Sequence, residues 1–268
     1  MGRQAGSDSV GAALRAAAAD GRVRAVVVHV DSPGGSAVAS ETIWREVCRL
    51  RDAGTPVVVS MGRVAASGGY YVACPADVVV ALPATLTGSI GVFGGKVVVR
   101  ELLDRLGLTT GTVSHGERAL MYSVRRGFSD AERERLGVSL DAIYDDFVAK
   151  VARGRRRPVD EIERVARGRV WTGSDALHLG LVDELGGLRD AVRIARSRAG
   201  LPDDAPVCPA LHVPLPARLG RPRNSEDPRA VTGAPLAGLG GLATLDALAV
   251  ALGLPASAVL RMPSITVR

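Results

Sequence analysis

VRAVVVHVDSPGGSAVASETIWREVCRLRDAGTPVVVSM, residues 23–61, decides the fold of this chain. Its first eight residues (23–30) form a β-branched run of strand length, apolar enough to be buried on both faces. DSPGGS (31–36) reads as a turn, and from Ala37 the spacing of Ile43, Val47 and Leu50 puts one apolar face on a helix that stops at Gly54. PVVVSM (56–61) is a second strand. Strand, turn, helix and strand in this order make a βαβ crossover, which implies a parallel sheet.

The pattern spreads outward from this unit. Upstream, VGAALRAAAAD (10–20) reads as an Ala-rich helix closed by Gly21. Downstream, GRVAASGG (62–69) reads as a turn, GYYVAC as a short helix and ADVVVAL (76–82) as a third strand. TGSIGVFGG is then a bent strand or loop, VVVRELLDRLG (97–107) a helix and LTTGTVS (108–114) a strand. Helices follow. Ser129 and Glu132 form a capping box ahead of Leu136, Leu140, Ile143, Phe147 and Val151, then come PVDEIERVARG and GLRDAVRIARSRAG (187–200). Beyond Pro202 the composition turns to Pro, Gly, Ala and Leu. Residues 202–230 read as an irregular linker, 242–254 as one more helix and 264–268 as an edge strand.

Composition narrows the function. Of 268 residues, 47% are hydrophobic and 23% charged, a globular balance, and aromatics are only 3%, so aliphatic side chains must build the core. The net charge of +6 invites a nucleic-acid reading, but the basic residues are dispersed apart from Arg153, Arg155, Arg156 and Arg157, with no stacking aromatics among them. A solvated surface or a contact with an anionic membrane accounts better for that cluster. Cys48, Cys74 and Cys208 show neither disulfide nor zinc spacing, and no cofactor is implied. No apolar run reaches the ~18 residues a membrane span needs, and the first residues lack the pattern of a signal peptide, so no anchor is expected in this chain.

Chemistry concentrates in MGRVAASGGYY (61–71). A buried strand delivers Ser67 to a helix entrance, at the strand ends where open parallel sheets bind ligands. The amides of Gly68 and Gly69 sit at the helix N-terminus, suited to an oxyanion in acyl transfer, where one such donor contributes about 3–4 kcal/mol. The plain alternative is that Ser67 caps the helix. DSPGGS holds the same topological place one strand earlier, and Gly35 there could supply a second oxyanion amide.

Four stretches in order, VDSPGGS, VVVSMGRVAASGGYYVA, LPATLTGSIGVFG and GRVWTGSDALHLGLVDELGG, resemble the signal peptide peptidase A (protease IV) family over about residues 10–200. The resemblance implies an α/β fold of repeated ββα units like crotonase and Clp protease, with a mostly parallel sheet, a helical region and an irregular C-terminal tail. Residues 1–200 would be a peptidase module and 201–268 a Pro/Gly/Ala-rich linker and tail. It further implies Ser67 as nucleophile, Gly68 and Gly35 as oxyanion donors, and Ser89 of TGSIG as the serine that orients a lysine base. The expected substrate is a signal peptide or another short apolar peptide. The family's origin implies a bacterial protein, cytoplasmic or peripheral to the cell membrane.

The lysine is the departure. Single-module members carry it past a strand after the serine, and ungapped spacing puts Ala119 of HGERALMYS at that position. Arg118 next to it does not deprotonate near neutral pH. His115 lies in the right loop, Lys96 follows TGSIG, and Lys150 reads as a snorkelling surface lysine on the long helix. His29 reads as a core histidine, and His178 and His212 have no motif around them. Long members have two tandem modules, lysine in the first and serine in the second, and this chain resembles the second. The expectation is therefore an oligomer of like modules, or an amino-terminal partner module that brings the lysine. The helical region 129–170 would pack against such neighbours. The rivals are an inactive peptidase-like scaffold, and a crotonase-type acyl-CoA enzyme on the same fold.

Overall fold

The computed structural model describes residues 5–210. The elements expected at 242–254 and 264–268, and most of the linker, lie outside the described residues. The chain runs α1 (Ser7–Ala19), β1 (Val26–Ser32), α2 (Ala37–Asp52), β2 (Val57–Ala66), α3 (Gly68–Ala73), β3 (Val78–Ala81), β4 (Leu86–Gly88), α4 (Arg100–Arg105), α5 (Asp130–Arg155), α6 (Val159–Val165), β5 (Val170–Thr172), α7 (Gly173–His178), β6 (Glu184–Leu185) and α8 (Leu188–Arg198). It is the α/β fold with a mostly parallel sheet that the sequence implied.

β2 is the spine. Its first half pairs in parallel with β1 on one side and β3 on the other, and Val64–Ala66 then pair in parallel with β4. β6 extends the sheet beyond β3, and β5 joins β4 antiparallel. The expected turn over GRVAASGG is therefore corrected. Residues 62–66 stay extended because β4 replaces β3 as their neighbour, and their ladder bonds favour a continued strand.

Side-chain alternation along the strands feeds two apolar layers. Val58, Val78 and Val80 pack under Ala191, Ile194 and Ala195 of α8. Val57, Val59 and Met61 face the larger core, shared with Ile43, Val47 and Leu50 of α2 and Leu14 of α1. β1 alternates too: Val26, Val28 and Val30 are buried, whereas Val27 and His29 are only half-buried. The run was expected to be buried on both faces, but α8 covers its second face incompletely. His29 accordingly sits half-buried, its Nδ1 3.3 Å from Ser60 Oγ.

Two more expectations fail in the segment between the sheet and α5. LTTGTVS forms no strand, and residues 108–114 are all exposed. Its β-branched content had no sheet edge to meet, and strand propensity expresses itself only through such pairing. The helix expected over 97–107 shortens to α4, which buries none of its residues. This arm is held by a few local contacts, among them Val99 N to Val124 O at 2.8 Å.

Behind the sheet, α5 begins with the expected capping box, where Ser129 accepts from Glu132 N and the Glu132 carboxylate reaches back to Ser129 N. Among the described residues no helix is long and apolar enough to cross a membrane.

Candidate active site

Ser67 follows β2 and Ser89 follows β4, and the two strands are in register with Ala66 opposite Gly88. The two serines thus emerge side by side at the ends of adjacent parallel strands, joined by a Ser67 N to Gly88 O bond of 2.9 Å. Both sit at positive φ, 51° for Ser67 and 48° for Ser89. Such conformations in non-glycine residues cost about 1–3 kcal/mol and persist only where the surroundings enforce them.

The capping reading for Ser67 does not survive. Its side chain makes no cap hydrogen bond, and φ 51°, ψ −119° is not the extended geometry of a cap. Ser36 shows the contrast, capping α2 from φ −60°, ψ 126° by accepting from Ala39 N. Ser67 is half-buried, and its Oγ hydrogen-bonds to no described residue.

The DSPGGS loop closes over it. Gly34 adopts φ +120°, and a Cβ there would lie 2.8 Å from Ser67 Cβ and 3.2 Å from both Ser67 Oγ and Gly68 N. A Cβ on Gly68 would lie 3.1 Å from Gly35 N. The Gly34–Gly35 backbone therefore runs against Ser67 and Gly68 at a distance that only glycine permits. Among the described residues neither Gly35 N nor Gly68 N donates a hydrogen bond. Two unused amides beside a strained serine hydroxyl make a layout for attacking a carbonyl and holding its oxyanion.

On the far side, Ser89 N donates to Arg169 O at 2.7 Å and Gly168 N to Ile90 O at 2.9 Å. A Cβ on Gly91 would meet Gly168 within 2.9 Å, so TGSIG is pressed onto the turn that leads into β5. The GRVWTG phrase acts here as the brace that holds Ser89 in place.

No described lysine or histidine hydrogen-bonds to Ser67. Ala119, where the family lysine falls, lies in an exposed turn, and His115 is exposed in the same loop. Lys96 Nζ donates to Met121 O at 2.6 Å and lies 4.3 Å from the Phe128 ring centroid. Burial lowers its pKa, and the nearby Arg126 adds to the shift. Its amine thus ties the arm together at the loop that carries His115 and Ala119.

Lys150 corrects the sequence reading. It is 9% exposed, not snorkelling, and its Nζ lies 2.5 and 2.6 Å from the Asp146 carboxylate oxygens and 2.8 Å from Glu41 Oε2. Tyr71, one turn below Ser67, donates its hydroxyl towards Glu41 at 2.7 Å and Asp146 at 2.8 Å. Burial and these carboxylates push the Tyr71 phenol far up, so it stays a donor. Burial alone would raise Glu41, but the bonds from Lys150, Tyr71 and Arg45 bring it below the ordinary carboxylate range. This cluster pins α2, α3 and α5 together behind the serine. Lys150→Met leaves Glu41 with only Arg45 and Tyr71 beside Asp146 and should destabilise the chain by roughly 1–2 kcal/mol, less than for a fully buried pair because Asp146 is half exposed. Urea unfolding checks this, and an unchanged midpoint would contradict it.

A strained serine that caps no helix, beside two unused amides at the ends of parallel strands, is the layout acyl transfer requires, set on an α/β scaffold. The model of peptidase family S49 matches residues 49–202, and the chain belongs to that family. It is 43% identical over 196 residues to Protease 4 of Salmonella typhi, covering 73% of this chain and 32% of that one. Against the chloroplastic serine protease SPPA of Arabidopsis thaliana it is 43% identical, over 68% of this chain and 27% of that protein. A Synechocystis relative is 36% identical, with 72% of this chain and 69% of the other covered. The chain thus spans about a third or less of the length of the first two relatives.

Proposed function

We propose that the chain is the serine-bearing module of a serine endopeptidase acting on signal peptides or other short apolar peptides. The observation that carries this reading is Ser67 itself, held at positive φ, uncapped, with the Gly34–Gly35 backbone against it. In the proposed reaction Ser67 Oγ bonds to the peptide carbonyl carbon as its proton passes to a lysine amine. The oxyanion accepts from Gly35 N and Gly68 N. The tetrahedral intermediate collapses with cleavage of the C–N bond, the lysine returns the proton to the leaving amine, and water then hydrolyses the acyl-enzyme. Ser89, beside Ser67 in register, orients that lysine.

The lysine comes from an amino-terminal partner module, because the chain's own Lys96 and Lys150 are engaged elsewhere. The exposed apolar side chains of the arm, Phe93 at 80% exposure and Leu106 at 61%, together with Val138 on the first half of α5, support a face that meets such a neighbour. A second reading, an inactive scaffold, rests on the absence of any basic side chain bonded to Ser67 among the described residues.

Labelling with a fluorophosphonate, with and without an added lysine-bearing module, tests the proposal. Labelling that requires the module supports it. Labelling of the chain alone points to a local base, Lys96 or His115, and no labelling in either case leaves the scaffold reading.

A further inference from the structure

At the opposite end of α2 from the serine lies a cavity. α2 carries Ser36 at its entrance and Arg49 and Arg51 in its last turn, and its 16 residues put the two ends about 24 Å apart. The cavity, about 390 Å³, opens between the C-terminal half of α2 and the last turn of α5. Arg45, Arg49, Arg51 and Arg153 line it against a single carboxylate, Asp52. Glu41 and Glu46 lie outside it and engage Arg45 and Arg49, but Glu46 is shared with Arg15. Arg153 forms no ion pair among the described residues.

The donors are partly preset. Arg51 Nη1 donates to Pro75 O at 2.9 Å and Nη2 lies 3.3 Å from Asp52, which holds this guanidinium in one orientation. Trp44, Cys48 and Pro75 supply the apolar part of the lining. Burial pushes the Cys48 thiol up, with Arg51 opposing, so the thiol stays neutral and cancels none of the positive charge. Arg45, Arg49 and Arg51 each keep one carboxylate neighbour, Glu46 being shared with Arg15, while Arg153 has none, so the cavity retains a positive excess whose forked donors match phosphate oxygens. The volume exceeds that of a bare phosphate, and the apolar wall suits a short carbon chain attached to it.

We propose that this groove binds a small phosphate ester of the glycerophosphate type, free in solution or as the headgroup of an anionic phospholipid. It is a site separate from Ser67 and owes nothing to the peptidase chemistry. Calorimetric titration with sn-glycerol 3-phosphate, beside flotation with phosphatidylglycerol vesicles and with phosphatidylcholine vesicles, tests it on the intact chain. Saturable binding is expected, weakened tenfold or more by Arg49→Gln combined with Arg153→Gln. The exposed Arg153→Gln alone, which has no partner to lose, should weaken it severalfold. Arg189→Gln with Arg193→Gln on α8 makes the same charge change elsewhere and should leave binding intact. Binding to the soluble ester without vesicles identifies a free metabolite, and groove-dependent capture by the anionic vesicles identifies a lipid. Absence of saturable binding to either, or equal weakening by the α8 variant, would overturn the proposal.

Discussion

On the proposed function, Ser67→Ala is expected to reduce peptide hydrolysis in the presence of the partner module by about 10³-fold or more, because the acyl-enzyme then has no oxygen to form on. The same change should leave folding intact. Ser67 Oγ hydrogen-bonds to no described residue, and alanine inherits the same φ of 51° at a similar cost to serine. A capping serine would behave in the opposite way, with stability falling by about 1 kcal/mol on loss of the side-chain oxygen and activity little changed. Comparing turnover with thermal unfolding for this one variant therefore separates the two roles. Retained turnover with lowered stability would return Ser67 to the cap.

Gly34→Ala should also be damaging, less severely and by a different route. The added methyl would lie 2.8 Å from Ser67 Cβ and 3.2 Å from Gly68 N, so either the serine or the DSPGGS loop must shift. Displacement of reacting groups by about 1 Å can cost 10²-fold in rate, and a loss of that order is expected here. Gly34 also sits at φ +120°, so alanine there carries a backbone penalty of about 1–3 kcal/mol whatever the contacts. Gly54→Ala is the control, since Gly54 has φ +83° with nothing within 4 Å of its would-be Cβ. It should lose stability and keep its serine reactivity. Gly34→Ala with full reactivity would show that the loop does not set the serine's position.

How much of this was legible in the sequence depended on how local the cause was. The crossover 23–61 could be read because each element carries its own period and its own stop, from the valine run to Gly54. The glycine-rich loops could be read because close backbone approach demands glycine, and both Gly34 and Gly68 prove to be positions where a Cβ would collide. Whether Ser67 caps or attacks could not be read, since either role places a serine at a helix entrance. Its dihedral angles and missing cap bond speak against the cap, and the attack is what we propose. Lys150 was misread because its partner Glu41 lies on another helix, far away in sequence, and no helical pattern reports such a meeting. LTTGTVS was misread for the converse reason, a strand-like composition with no strand beside it. The turn at GRVAASGG became strand because β4, further along the chain, supplied a new neighbour.

In the proposed reaction Ser67 forms the covalent bond to substrate. Fluorophosphonate labelling in the presence of a lysine-bearing module, followed by digestion and mass spectrometric mapping of the adduct, identifies the residue that carries that bond. A single adduct on Ser67, absent from Ser67→Ala, is expected. An adduct on another serine, or one that persists in Ser67→Ala, would contradict it.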